Sequence, residues 1–218
     1  MKKWIVLRLV HRAIWFRLLR RRYRKFSSHY ASNLSLEGPS MGYIINQSTC
    51  PNFSIGRKKM SGVGCEIAAT YNALKLCGCM VTCSGIIRDF ERDRYLMGAL
   101  RVGDFGSDPY AIGNYLDDNA IHYTQFVSFR TMESVVDSGR GTSQVYIVSF
   151  WNRDSMIGGL HTVAFCTTDS DQLIHVYNLY ANSTGIHTKG EFSSFIGQNR
   201  FIVGYHIPNS QFLNPVGG

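Results

Sequence analysis

The first 25 residues contain no Asp or Glu, the 218-residue chain has only five prolines and three tryptophans, and no apolar run approaches membrane-spanning length. A transmembrane helix needs about 20 largely uncharged residues, and a signal peptide an unbroken apolar core of about 7–15. The apolar runs at residues 4–7 and 13–16 are four residues each, and Arg8 interrupts the segment early, so neither pattern fits. The cysteines lack the paired two-residue spacers of a zinc site. Cys77, Cys79 and Cys83 are bunched without a fourth ligand, while Cys50, Cys65 and Cys166 are scattered. A chain of this length needs no disulfide staple, so free thiols in a reducing compartment are expected. Glycine-rich loops with phosphate-binding spacing are also missing, and no metal or organic cofactor is expected.

What is present is an ordinary globular composition, 44% apolar and 13% aromatic. It excludes global disorder, a collagen-like repeat and a membrane bundle, and the length suits one domain with its own core. The formal charge of +8 is unevenly placed: residues 1–25 hold ten of the 23 Lys and Arg, leaving 13 basic against 15 acidic groups in the rest. A body with a net charge of −2 is a poor nucleic-acid binder, because phosphate binding needs clustered cations on the folded face, and no nucleic-acid partner is expected. Residues 1–26 form a basic, aromatic-rich extension. Its Trp4, Trp15 and Phe16 lie among the cations, which suits an anionic membrane surface; a solvated extension is the plainer alternative. The expected location is cytoplasmic, with peripheral contact to a membrane through this segment.

Residues 27–42 read as a linker, followed by a short strand at 43–45, a folded domain over 43–210 and a tail at 211–218. The stretch SGVGCEIAATYNALKLCG carries Ile67, Ala68, Tyr71 and Leu74 at helical spacing and Gly78 as a stop, which predicts a buried helix opening at Cys65. Further helices are predicted at 84–91, at 94–100, and after Asp108-Pro109 with Ile112, Tyr115 and Leu116 inward. Beyond Asn119 the texture changes to strands: 121–126, then QVYIVSFW, LHTVAFCTT, QLIHVYNL and FIVGYHI, with a short helix at 131–137. Asp169-Ser170-Asp171 supplies a hairpin turn. Helices first and antiparallel strands second make an α+β fold, with the helices on one side of a curled sheet.

A thiol attacks carbonyls as thiolate, so a nucleophilic cysteine needs a setting that lowers its pKa. Cys65, at a helix N-terminus after Gly62 and Gly64, meets the positive end of the macrodipole and free N–H groups able to hold an oxyanion. The same local sequence also fits a small buried residue at a tight loop-to-helix join. His161 opens the strand LHTVAFCTT after Gly158-Gly159, and Asn178 ends the partner strand. A hairpin turning near residue 170 sets 161 opposite 179, so an amide at 178 is placed to fix the imidazole tautomer. His122, His175 and His206 lie in strand-like runs and His187 in a polar loop, and all four read as structural or solvated.

The order Cys, His, Asn, carried by INQSTCPNFSIG, MSGVGCEIAATYNAL, YIVSFW, GGLHTVAF and VYN, resembles the papain-like cysteine peptidases. Within them it is closest to the free-standing bacteriocin-processing, or double-glycine, peptidase-like branch. The resemblance runs from about residue 44 to 207. It implies Cys65 as nucleophile, His161 as general base and acid, Asn178 as orienting group and Gln47 as the second oxyanion donor, with a peptide or protein as substrate. Three features depart from the pattern. Glu66-Ile67 stands where a Gly-Pro-like pair usually follows the nucleophile, which puts a carboxylate beside the thiol and raises its pKa. The third member is Asn rather than the branch's frequent Asp, and Cys65 lies 18 positions after Gln47, a longer separation than in papain. The same triad also serves deamidases, acyltransferases and transglutaminase-like effectors, and the same fold serves a non-catalytic peptide binder. The chain ends in Gly217-Gly218, the dipeptide after which the resembling peptidases cut.

Overall fold

QVYIVSFW is apolar at nearly every position because both of its faces are covered. In the computed structural model it forms the central strand β4 (Gln144–Trp151): Val145 and Ile147 point into a core under the helices, and Tyr146, Val148 and Phe150 into a second core on the opposite face. A strand buried on both sides has no polar alternation to show. The structure describes residues 29–37, 41–93, 106–152, 159–180 and 182–208. The basic extension 1–26, the helix expected at 94–100, Gly158 and the tail 211–218 lie outside the described residues.

The sheet has six antiparallel strands in the order β3-β8-β4-β5-β6-β7. They are β3 (Thr124–Phe126), β4, β5 (Leu160–Thr167), β6 (Ile174–Tyr177), β7 (His187–Lys189) and β8 (Phe201–Ile207). Two short strands, β1 (Ser54–Ile55) and β2 (Lys58–Lys59), form a separate hairpin. The helices α3 (Cys65–Leu76), α4 (Cys83–Arg92) and α5 (Ala111–Asp118) supply the first core. This is the expected α+β arrangement of N-terminal helices against a C-terminal antiparallel sheet. One helix departs from it: α6 (Phe129–Ser138) buries Phe129, Met132 and Val136 against the opposite face, together with Phe192, Phe195 and Ile196.

Residues 29–37, expected as linker, are part of the fold. Helix α1 covers 29–36, Asn33 is fully buried and bonds the main chain of Ser54 in both directions, and Glu37 caps α4 from a distance. Its carboxylate accepts from the main-chain N–H of Cys83 at 2.5 Å and of Ser84 at 3.0 Å, and from the Ser84 hydroxyl, meeting the positive end of the helix. The strand expected at 43–45 is also absent. The side chain of Asn72 on α3 takes the place of a neighbouring strand, accepting from Ile44 N at 2.8 Å and donating to Ile44 O at 2.8 Å. His187 lies in β7 rather than a loop, because three residues there pair with β6.

Candidate functional site

The position of Cys65 is made by a break between two helices. The short α2 (Met60–Val63) ends at Gly64, which also precedes the first residue of α3, Cys65. A Cβ at position 64 would sit 2.3 Å from Met60 Cγ and 2.8 Å from Met60 O, so only glycine allows the two helices to meet this closely. Gly62 faces open space and clears nothing.

Cys65 is buried, 7% exposed. Its Sγ–H donates to Glu66 Oε2 at 3.3 Å, and the sulfur lies 4.0 Å from the Leu160 carbonyl oxygen. Burial pushes the thiol well above its ordinary pKa, and the charge and hydrogen bond of Glu66 push it further, against smaller opposing contributions from the main chain at Thr162 and Glu66. The lowering expected from the helix N-terminus is therefore outweighed. All six cysteines are free thiols. Burial also raises the other five, Cys50 to about 11, Cys77 to about 12 and Cys166 to about 11, with Cys79 and Cys83 shifted the same way.

Behind the thiol runs a buried polar chain. Thr162 Oγ1 donates to Glu66 Oε1 at 3.3 Å, and Thr162 and Ser149 hydroxyls are 2.8 Å apart. Ser149 and Thr162 are Cα partners across β4 and β5, and both face α3. Glu66 is 2% exposed, and burial pushes its carboxyl up to about 7. Glu66 was legible as a neighbour of the thiol. Thr162 and Ser149 were not, although the period of two along a strand puts the residue after His161 on the face opposite to it.

That alternation decides how His161 sits. Its Cα partner is Phe150, a member of the core on the α6 side, and the imidazole meets the Phe150 ring edge-on at 5.8 Å. Thr162, not His161, lies under α3. The imidazole Nε2 is 2.7 Å from the main-chain oxygen of Asn178. A carbonyl only accepts, so Nε2 carries the hydrogen and the neutral ring keeps its lone pair on Nδ1. Burial lowers the His161 pKa, opposed by the main chain at Asn178 and Leu179. Among the described residues no hydrogen bond joins the Cys65 thiol to the His161 ring. The two meet through main chain, since the residues flanking His161 are the ones that touch Cys65 and Glu66.

The expected hairpin is present, displaced by one residue. The ladder ends at Ala164↔Tyr177, and Asn178 follows with φ 60, a left-handed conformation that Asn tolerates better than most residues. This turn aims the Asn178 carbonyl at His161 and its side chain elsewhere. Asn178 Oδ1 accepts from Gln47 N at 2.8 Å and its Nδ2 donates to Gln47 Oε1 at 3.0 Å. The side-chain amide expected to orient the imidazole is committed to Gln47, and the main chain orients it instead. Gln47 Nε2 donates to Ser61 O on α2 at 3.4 Å and keeps a second N–H. Gln47, Asn178 and His161 are thus brought together by hydrogen bonds, and Ser61 leads the chain back to Cys65.

Four other described histidines, His29, His175, His187 and His206, have side-chain partners, two of them carboxylates that sequence did not show. His175 Nε2 lies 3.0 Å from Asp171 Oδ2, and His29 Nδ1 lies 3.2 Å from Glu91 Oε1. His206 stacks on Tyr146 and bonds Gln144, while His187 bonds Ser183. Among the described residues no three His, Cys, Asp or Glu side chains are grouped to hold a metal ion, and no helix is long and apolar enough to cross a membrane. Neither models of known protein families nor curated proteins match this chain.

Proposed function

We propose that the chain is a papain-like cysteine peptidase, akin to the free-standing bacteriocin-processing branch, acting on a peptide or protein. The observation that supports this best is the His161–Asn178 contact of 2.7 Å, which leaves Nδ1 as the imidazole's base on a strand whose adjoining residues touch Cys65. In this reading the Cys65 sulfur bonds to the substrate carbonyl carbon. The oxyanion is met by the Cys65 N–H and the second Gln47 Nε2–H. The Cys65 S–H proton passes to His161 Nδ1 and from there to the leaving amine as the C–N bond breaks; water then adds to the thioester carbonyl, and its proton returns through Nδ1 to the sulfur as the C–S bond breaks. The thiol–imidazole bond forms with substrate, as catalytic hydrogen bonds often do. Residues 1–26, with their cations and tryptophans, are proposed to bring the protein to an anionic membrane.

The test is incubation of the purified full chain with a peptide mixture, followed by mass spectrometry. New peptide termini that disappear in Cys65→Ala and His161→Ala support hydrolysis. Deamidated, acylated or cross-linked products would move the protein to transfer or deamidation chemistry with the same residues. The missing thiol–imidazole bond and the raised thiol pKa favour a second reading, a peptide binder without turnover. It predicts peptide retention with no change in mass, equal in the wild type and in Cys65→Ala.

A further inference from the structure

The mechanism above leaves unused a carboxyl group that touches the reacting sulfur. Glu66 follows the nucleophile directly, is 2% exposed, and among the described residues forms no ion pair with Lys, Arg or His. Each of its oxygens has one side-chain partner, Oε2 accepting from the Cys65 thiol at 3.3 Å and Oε1 from Thr162 at 3.3 Å, and its own main-chain N–H also bonds the carboxylate. Thr162 is held in turn by Ser149 at 2.8 Å. A buried carboxylate with no cation is costly unless a proton is shared with it, and of its two side-chain donors, the Cys65 thiol and the Thr162 hydroxyl, the thiol is the one acidic enough to share its proton. We propose that Glu66 is a further catalytic residue, which shares a single proton with Cys65 and so decides when the sulfur is a nucleophile.

The step balances without a co-reactant. In the resting protein the S–H bond breaks, an Oε2–H bond forms, and the sulfur keeps the electron pair; with substrate bound the same proton passes on to His161 Nδ1, the donor to the leaving amine. The neutral carboxyl then donates back to the thiolate, and Thr162 keeps the carboxyl in register with the sulfur. With the proton on sulfur, Glu66 is an anion beside the thiol and opposes a second negative charge there. Another titratable group acting on this pair is Asp108, whose charge also raises the Glu66 pKa; the facing groups on β4 and β5, Ser149 and Thr162, are neutral. This inference rests on the reading of Cys65 as a nucleophile and adds what governs it.

A shared proton has a kinetic signature. Below the point where the pair loses its first proton, the thiolate fraction rises about tenfold per pH unit. Above it, the fraction with sulfur ionised and carboxyl protonated is constant, so the rate levels off. Alkylation of Cys65 by iodoacetamide, followed residue by residue by mass spectrometry on the full chain from pH 5 to 9, should therefore rise to about pH 7, where the Glu66 carboxyl titrates, and then flatten. Glu66→Gln should restore a continuous rise and react roughly tenfold or more faster than the wild type at pH 9. A wild-type profile that rises without a plateau, or one that Glu66→Gln leaves unchanged, overturns the proposal. If Glu66→Gln does not fold, Thr162→Val decides. Loss of the donor to Oε1 should shift the plateau to higher pH, and an unmoved plateau is a refutation. The readout is sulfur chemistry, so a protein that cleaves no peptide would end the peptidase reading and leave the Glu66 result standing.

Discussion

Asn178 grips Gln47 at two points, accepting from its main-chain N–H at 2.8 Å and donating to its side-chain oxygen at 3.0 Å, while its own carbonyl meets His161 at 2.7 Å. One residue ties the proposed oxyanion donor to the proposed base, and the two ties run through different parts of it. Side-chain and main-chain roles can therefore be separated by substitution. Asn178→Gly preserves the positive φ and the carbonyl but loses both bonds to Gln47. It should retain His161 geometry, visible as an unchanged imidazole pKa by NMR, while turnover falls. Asn178→Ala adds the cost of a left-handed alanine and should be less stable than Asn178→Gly by about 1 kcal/mol in urea. An imidazole pKa that shifts equally in both variants would return the orienting role to the side chain.

Gly64 and Gly62 make a matched pair of controls. Gly64→Ala forces a Cβ to within 2.3 Å of Met60 Cγ and 2.8 Å of Met60 O. It should cost about 1–3 kcal/mol and displace Cys65, lowering any activity with it. Gly62→Ala meets nothing within 4 Å and should leave the melting temperature unchanged or slightly higher. Equal melting temperatures for the two variants would show that the close approach of α2 to α3 is not needed.

Burial of Glu66 gives stability a pH dependence of known sign. Its folded pKa, about 7 against an ordinary 4.5, is raised, so the native state binds more protons than the unfolded chain between these values. The contribution is whole below about pH 4.5 and is lost as pH rises through about 7, amounting to about 3 kcal/mol. His161 has the opposite sign: its pKa is lowered, so its contribution is lost as pH falls. Comparing wild type with Glu66→Gln cancels the His161 effect. In urea titrations the variant should gain on the wild type from pH 5 to pH 8, and a difference independent of pH would mean that Glu66 stays ionised throughout.

Removal of residues 1–26 leaves Glu37 in place, whereas removal of 1–42 takes away α1 and the cap on α4. A chain starting at residue 27 should keep its stability and any activity while losing affinity for anionic vesicles at low salt, where each basic residue contributes about 1 kcal/mol. A chain starting at 43 should be destabilised, and Glu37→Ala alone should cost about 1–2 kcal/mol by urea denaturation. Stability unaffected by the longer deletion would return 27–42 to the role of a linker.

Local pattern was enough wherever one period dominated. The β4 and β8 strands coincide with QVYIVSFW and FIVGYHI because β-branched and aromatic runs of that length fit little else, and α3 starts at Cys65 because Gly64 precedes a helical stripe. Sequence also placed an imidazole and an asparagine at one end of this hairpin, and a carboxylate beside the thiol. Tertiary structure decided what those groups do. Asn72 substitutes for a strand beside Ile44, and Glu37 reaches 46 positions along the chain to cap α4, contacts for which no local periodicity exists. A one-residue shift in the β5–β6 register and the positive φ of Asn178 gave His161 to a carbonyl and the amide to Gln47. Burial, a property of the whole packed core, overrode the helix terminus at Cys65 and left its proton facing Glu66.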